Sequence, residues 1–414
     1  MKGAGMGLAD QVNEWLLSEA LGEPKLEDIF YRLCMKLLGI GVPISRARLN
    51  WPTLHPLFRA EMISWDRDER EATLGHFHHQ DANTKAWQAS PLRHMLENDL
   101  NILRRRLTGP GKLIDFRLLE ELAADGITDY LALRTGFKQA GKGIDSSGTG
   151  IIVIWACDRE GGFTEEDLSV LQEIQRSLSL VSKSIIQQQI TTNIVETYLG
   201  RQAGRSVLEG NIRLGDGATT KALVWYSDLR GSTHLTSTLP SEDFLALLNA
   251  YFECAARPAI RVGGEVLAFI GDAVLIVFPM ETREEGEELS KKVLKAIAES
   301  FEMRDAFNAE RRGKGLDELF FGIGLNLGKV VFGNIGVPER LAFTVIGSTV
   351  TEVERIEKLT KGLGTNVLAS KRVADFLPDR WEAVGAHMLD GVDDPVELYM
   401  PRMGSEAAMK AAAE

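Results

Sequence analysis

Three cysteines are all that 414 residues hold, at positions 34, 157 and 254. They are too few and too far apart for a disulfide framework or a zinc site, and they suit a reducing, cytoplasmic compartment. No apolar run approaches the roughly 18 residues that span a bilayer. The opening MKGAGMGLADQ lacks the apolar core of a secretory signal. Positive charge is also in short supply: 47 Lys and Arg stand against 59 Asp and Glu, a net charge of −12. That balance excludes nucleic acid as a general partner. No Ser/His/Asp or Cys/His arrangement marks a catalytic nucleophile. What remains is a soluble chain long enough for two domains, with neither nucleic acid nor membrane as an expected partner.

The first expected domain covers residues 1–165. Two helical patterns, Leu8–Leu21 and Leu26–Leu37, precede strand-like RARLNW (46–51) and EMISW (61–65). Helical periodicity returns at PLRHMLEND and LLEELAADG. The apolar GIIVIWAC (150–157) reads as a central strand. Helices flanking an antiparallel sheet make this an α+β domain. The basic run NILRRRL (101–107) reads as a solvated helix face, HFHHQD (76–81) as a solvated turn, and Trp51 and Trp155 as core.

Residues 166–197 form an expected connecting helix. Thr164 and Asp167 make a capping box, and Leu171, Ile174, Leu178, Val181 and Ile185 recur at spacings of three and four. The spacing predicts a coiled-coil-like seam between two protomers; the alternative is one amphipathic helix lying on its own domain. Residues 198–401 alternate strands and helices, and suit a mixed sheet with a ferredoxin-like core. Here KALVWYSD is a strand, SEDFLALLNAYFECAARPAI a helix capped by Ser241, and LAFIGDAVLIVF a hairpin. Residues 402–414 read as a fraying tail.

Two segments of the second domain carry the chemistry. WYSDLRGST (225–233) ends an apolar run on Asp228, and FIGDAVLIVF (269–278) places Asp272 in a Gly-Asp turn between two apolar runs. Two carboxylates at strand ends are what a pair of hard cations needs when the cations must also hold a triphosphate. The bland reading is two unrelated turn aspartates. Gly231 permits close approach of backbone to phosphate, and Ser232 and Thr233 follow it at a helix start, where N–H groups face an anion.

Together with FGIGLNLGKVVFGNIG, RLAFTVIGSTVTEVERIEKL and LDGVDDPVELY, these segments resemble the class III nucleotidyl cyclase catalytic domain, over about 198–401. The resemblance implies ATP as substrate, cyclic AMP and pyrophosphate as products, and a head-to-tail homodimer with two Mg²⁺ or Mn²⁺ ions per site. It implies metal ligation by Asp228 and Asp272, with help from the Leu229 carbonyl. Arg355 falls at the position of the arginine that stabilises the transition state on the partner's metals; the alternative is a surface arginine paired with Glu352 or Glu354. Thr344 falls at the base-selecting position of the adenylate-specific members, or serves only β-propensity. More weakly, Ser90–Leu180 resembles a GAF domain, which implies either a small-molecule ligand for the N-terminal domain or a dimerisation platform without one.

Four positions depart from the cyclase pattern. Ala268 stands where a lysine reads the base, Thr351 where an asparagine orients the ribose, and Asp390 where a lysine or arginine holds the triphosphate; Ser348 replaces a variable aspartate. These departures leave open a catalytically impaired nucleotide-binding or signalling module, and a guanylate cyclase, beside the adenylate cyclase.

Overall fold

The computed structural model of the protein describes residues 7–402 other than 23, 70, 138–148 and 216. The expected tail, apart from Arg402, lies outside the described residues. The chain forms two compact units, residues 1–194 and 195–414.

The first unit runs α1 (Leu8–Glu19), α2 (Leu26–Gly39), β1 (Ile44–Pro52), β2 (Phe58–Asp66), β3 (Glu71–His78), α3 (Lys85–Gln88), α4 (Pro91–Glu97), β4 (Ile102–Arg106), α5 (Arg117–Ala124), β5 (Asp129–Gly136), β6 (Gly150–Cys157) and α6 (Glu165–Leu199). Its six strands form an antiparallel sheet ordered β3-β2-β1-β6-β5-β4. The strand read from GIIVIWAC is central, flanked by β1 and β5. Period-two alternation divides the sheet into two faces. Leu49, Trp51, Trp65, Val153 and Trp155 pack with α2 and α6 on one face. Ile152, Ile154, Tyr130 and Ala132 pack with Met95 and Leu119 on the other.

Four expectations need correction. The stripe Leu171, Ile174, Leu178, Val181 and Ile185 is buried within this unit's own core and covers the sheet, so it is not a seam free to meet a second protomer. A sheet with one apolar face must be covered, and α6 does so. The capping box at its start is present: the Thr164 N–H donates to Asp167 at 2.7 Å and the Asp167 N–H to the Thr164 hydroxyl at 3.2 Å. NILRRRL is strand β4 rather than a helix face, because Arg104 is drawn onto Asp129, a fully buried carboxylate on β5, at 2.7 Å. HFHHQD is an exposed turn only in its second half: it first closes strand β3 and then opens a 3₁₀ turn, His79–Asn83. The fourth correction falls in the second unit: Ser241 is the first residue of its helix, the cap being Pro240 without a side-chain bond.

The second unit runs α7 (Arg201–Leu208), β7 (Gly217–Leu229), α8 (Ser232–Thr238), α9 (Ser241–Arg261), β8 (Glu265–Ile270), β9 (Ala273–Met280), α10 (Arg283–Gly313), β10 (Phe321–Val337), β11 (Arg340–Ile346), α11 (Ser348–Gly362), β12 (Val367–Ser370), α12 (Lys371–Ala374), β13 (Trp381–His387) and β14 (Val396–Pro401). Its sheet is ordered β13-β14-β12-β10-β7-β9-β8, with β11 paired to β10. The path β7-α9-β8-β9-α10-β10 with spatial order β10-β7-β9-β8 is a ferredoxin-like core. Tyr251, Ala255, Ile297 and Phe301 of α9 and α10 pack on Trp225, Ile276 and Ile323. Helix α11 covers the opposite face, where Val353 joins Val224, Tyr226 and Val277.

Strand β10 reads FGIGLNLG at its start, and its glycines bring α11 unusually near. A Cβ at Gly324 would lie 2.7 Å from the Val353 carbonyl, and one at Gly322 or Gly328 would collide with Glu357 or Thr349. Alternate glycines on a strand mark a close approach of this kind.

Candidate active site

Asp228 and Asp272 meet at one end of the second sheet. Asp228 is the penultimate residue of β7, opposite Ala273 at the start of β9. Asp272 and Gly271 are the two-residue turn between β8 and β9, and Gly271 takes φ +64°, as such hairpin turns require. The Leu229 N–H donates to the Asp272 carbonyl at 3.3 Å, which ties the two segments together. Both aspartates are half-buried. Burial first, then the Asp272 charge, push the Asp228 carboxyl up to about 6, while the Leu229 N–H and the Lys358 charge oppose the shift. Two anions held this close are relieved by a divalent cation. The all-oxygen donor set fits a hard cation. No cluster of three or more candidate metal-binding side chains occurs among the described residues.

Gly231 lies in the left-handed region, at φ +74°, and opens α8. Ser232 is half-buried and Thr233 exposed in the first turn of that helix. Seven residues make a weak dipole, so any pull on an anion comes from the unpaired first-turn N–H groups.

Helix α11 contributes on two sides. Arg355 is half-buried, and its guanidinium lies against Gly391, whose Cβ would fall 3.5 Å from both terminal nitrogens. It is not paired with Glu352 or Glu354: Glu352 binds Asn326 at 2.9 Å and Arg372 at 3.3 Å, and Glu354 binds Lys358 at 2.7 Å. Thr351 is exposed one turn earlier, and Asp390 is exposed beside Gly391. Thr344, half-buried on β11, and Ala268, half-buried on β8, lie on strands in contact with each other. Ser348 is exposed at the start of α11.

Two residues of this region are absent from the sequence reading. Glu357 is 5% exposed on α11 and faces Gly322, the residue paired with Asp228 across β10 and β7. Burial first, then the Asp228 charge, push its carboxyl up to about 7, while Thr360, Arg230 and Lys358 oppose the shift. Arg230 donates to the Thr365 carbonyl at 2.7 Å and to the Thr360 hydroxyl at 3.3 Å, and so ties the end of β7 to the end of α11. The alternating glycines of FGIGLNLG were the available signal, since they require a helix pressed onto that strand.

A ferredoxin-like core thus carries paired carboxylates at the β7 and β8-β9 ends. Residues 217–399 match the family described as the adenylate and guanylate cyclase catalytic domain, and this part of the chain is a class III cyclase catalytic domain. An uncharacterized protein of Mycobacterium tuberculosis (strain ATCC 25618 / H37Rv) is 30% identical over 240 residues, which cover 57% of this chain and 42% of that protein. The adenylate cyclase of Anabaena cylindrica is 31% identical over 199 residues, 46% of this chain and 38% of that protein. The matches thus span less than half the length of these relatives. Among solved structures, the adenylyl cyclase CyaB from P. aeruginosa is 25% identical with a TM-score of 0.39, covering 45% of this chain and 96% of that one. The guanylyl cyclase Cya2 is 30% identical with a TM-score of 0.39, covering 44% and 92%. No helix among the described residues is long and apolar enough to cross a membrane.

Proposed function

We propose that the chain is an adenylate cyclase, which converts ATP to 3′,5′-cyclic AMP and pyrophosphate in a homodimer whose sites are shared between protomers. The observation that carries this reading is the placement of Asp228 and Asp272 at one end of the sheet, tied through the Leu229 N–H to the Asp272 carbonyl, two like charges that burial alone would disfavour. A pair of Mg²⁺ or Mn²⁺ ions bound there would acidify the ribose 3′-hydroxyl and offset triphosphate charge. Asp228 and Asp272 hold them, with the Leu229 carbonyl as a further oxygen. The Gly231 turn and the N–H groups of Ser232 and Thr233 face the phosphates.

Helix geometry supports a site shared between protomers. Residues two apart on an α-helix point about 200° away from each other. Glu357 faces Gly322, beside Asp228, so Arg355 points away from the aspartates of its own chain. A guanidinium without an ion pair among the described residues, turned outward, suits a triphosphate held by a second protomer. Thr351, one turn earlier, then reaches the ribose, and Thr344 and Ala268 line the base. The N-terminal domain, residues 1–165, acts as the GAF-like regulatory unit.

A second reading, a cyclase-fold module with impaired turnover, is favoured by Ala268, which offers no donor to the base, and by Asp390, an exposed acid next in sequence to Gly391, against which Arg355 lies. The test incubates purified protein with ATP or GTP, each with Mg²⁺ or Mn²⁺, and separates products by chromatography. Cyclic AMP that disappears in Asp228→Ala supports the first reading. Intact ATP under every condition supports the second, and cyclic GMP in excess overturns the choice of base.

A further inference from the structure

Arg230 forms no ion pair among the described residues, although it is half-buried. Its side-chain acceptors are neutral: the Thr365 carbonyl at 2.7 Å and the Thr360 hydroxyl at 3.3 Å. Its Nε is buried without a partner. The Glu357 carboxyl feels the charge but takes its own bond from that Thr360 hydroxyl, at 3.3 Å. A buried charge bonded only to neutral oxygens, with one N–H left over, costs stability. The negative end of α11 offsets part of that cost. A buried polar atom left over in this way calls for a reason beyond packing.

Both ends of the arginine are fixed. At the far end, α11 closes in a Schellman turn: Gly364 takes φ +66°, the Thr365 N–H donates to the Thr360 carbonyl at 3.0 Å and the Gly364 N–H to the Lys361 carbonyl at 3.4 Å. The carbonyl of the next residue, Asn366, accepts the Ile323 N–H of β10 at 2.9 Å. The Thr365 carbonyl is thus held between a helix end and the sheet. At the near end, the Arg230 N–H donates to the Phe320 carbonyl at 2.8 Å, one residue beyond the last β7-β10 pair, Leu229 with Phe321. In a trans peptide the carbonyl of one residue points opposite to the N–H of the next. The Leu229 carbonyl therefore points away from β10, to the side on which the Leu229 N–H meets the Asp272 carbonyl at 3.3 Å. Arg230 so fixes the direction of the one backbone oxygen among the three candidate metal ligands.

We propose that Arg230 is a positioning residue for cyclisation. Its N–H and its guanidinium pin the end of β7 to β10 and to the end of α11. Asp228, the Leu229 carbonyl and the helix that carries Thr351 and Arg355 thereby keep one arrangement while cations and triphosphate bind. The inference rests on the two-aspartate reading of the site, and adds to it a residue that touches neither cation nor nucleotide.

The test compares the full-length wild type with Arg230→Met, which keeps the stem and removes the guanidinium, and with Arg230→Lys, whose charge can reach one of the two acceptors. Amide hydrogen exchange, read by mass spectrometry, is expected to quicken at least tenfold in Arg230→Met over residues 228–233 and 360–366, and to stay unchanged over 273–280. With Mn²⁺-ATP, kcat is expected to fall at least tenfold while KM changes less than threefold, since a misplacement of about 1 Å costs up to about a hundredfold in rate. The Mn²⁺ concentration that half-saturates the rise in melting temperature, without nucleotide, is expected to increase at least threefold. Arg230→Lys is expected to fall between the two proteins in every readout, and replaces Arg230→Met if that variant does not fold. Exchange equal to that of the wild type would overturn the proposal. So would faster exchange with kcat and the Mn²⁺ requirement both unmoved, the mark of an arginine that only holds the fold. A wild type that makes no cyclic nucleotide sinks the cyclase reading by itself, and the exchange and Mn²⁺ shifts then decide for or against Arg230.

Discussion

Glu357 stands directly over Gly322, so close that a methyl group on the glycine would collide with its carboxylate. Gly322 is the β10 partner of Asp228, so a buried acid on α11 is pressed against the strand that carries a candidate metal ligand. Gly322→Ala is therefore expected to do more than fill space. It must push α11 outward or turn Glu357 out of its place beside Thr360. Overpacking of this kind destabilises by about 1–3 kcal/mol, and the urea midpoint measures it. A midpoint equal to that of the wild type would show that the helix is not held against the strand.

The same contact sets a pH dependence. Asp228 moves from an ordinary 3.8 to about 6 and Glu357 from 4.5 to about 7. Each group binds its proton more tightly in the folded protein than in the unfolded chain. Between about pH 4 and pH 7 the native state therefore holds the extra protons, and stability without metal falls as pH rises through that window. Urea midpoints at pH 5 and pH 7.5 are expected to differ less in Asp228→Asn and in Glu357→Gln than in the wild type. Millimolar Mn²⁺ is expected to raise the midpoint of the wild type at pH 7.5 and to leave Asp228→Asn unmoved. An unchanged pH difference in both variants would mean that the two carboxyls are not proton-loaded in the fold.

Much of this was legible in the chain, and the parts that were not share a cause. The Gly-Asp turn, the apolar run ending on Asp228 and the capping box of Thr164 and Asp167 are local signals, and the structure places each as read. Glu357 was illegible because its burial depends on Gly322, thirty-five positions earlier, and on the register of β10 with β7. NILRRRL misled because period-two and helical patterns overlap in so short a run; what decides the strand is Asp129, buried at the end of the neighbouring β5. The stripe from Leu171 to Ile185 has the periodicity of a seam and of a sheet cover alike, and sequence spacing does not say which surface lies opposite.

The opposed directions of Glu357 and Arg355 give a test of site sharing. Asp228→Ala and Arg355→Ala are each expected to lower cyclic nucleotide formation by at least a hundredfold, since loss of one charged group at a phosphoryl-transfer centre has effects of that order. Co-expressed at equal levels, the two variants assort so that about half the dimers are mixed. Each mixed dimer keeps one of two sites whole, which restores about a quarter of wild-type activity. Without restoration, the aspartates and the arginine would act within one chain. Arg355→Ala alone is expected to leave the melting temperature unchanged, because the guanidinium has no ion pair among the described residues.

The departures at the base and ribose positions lead to a gain-of-function prediction. Ala268 and Thr344 lie on neighbouring strands, and both are only half-buried. Thr351 is exposed. A longer polar side chain at either 268 or 351 thus meets open space rather than core, and folding is expected to tolerate it. A lysine at 268 supplies a charged donor to the base, and an asparagine at 351 supplies a second donor to the ribose. Hydrogen bonds to charged groups contribute about 1.5–3 kcal/mol, or roughly ten- to a hundredfold in rate. Ala268→Lys with Thr351→Asn is therefore expected to raise kcat/KM for ATP at least tenfold, with GTP turnover as the control for base choice and the melting temperature as the control for folding. If ATP turnover falls instead while the melting temperature holds, the wild-type residues already read the nucleotide by contacts of their own, and the impaired-module reading loses its main support.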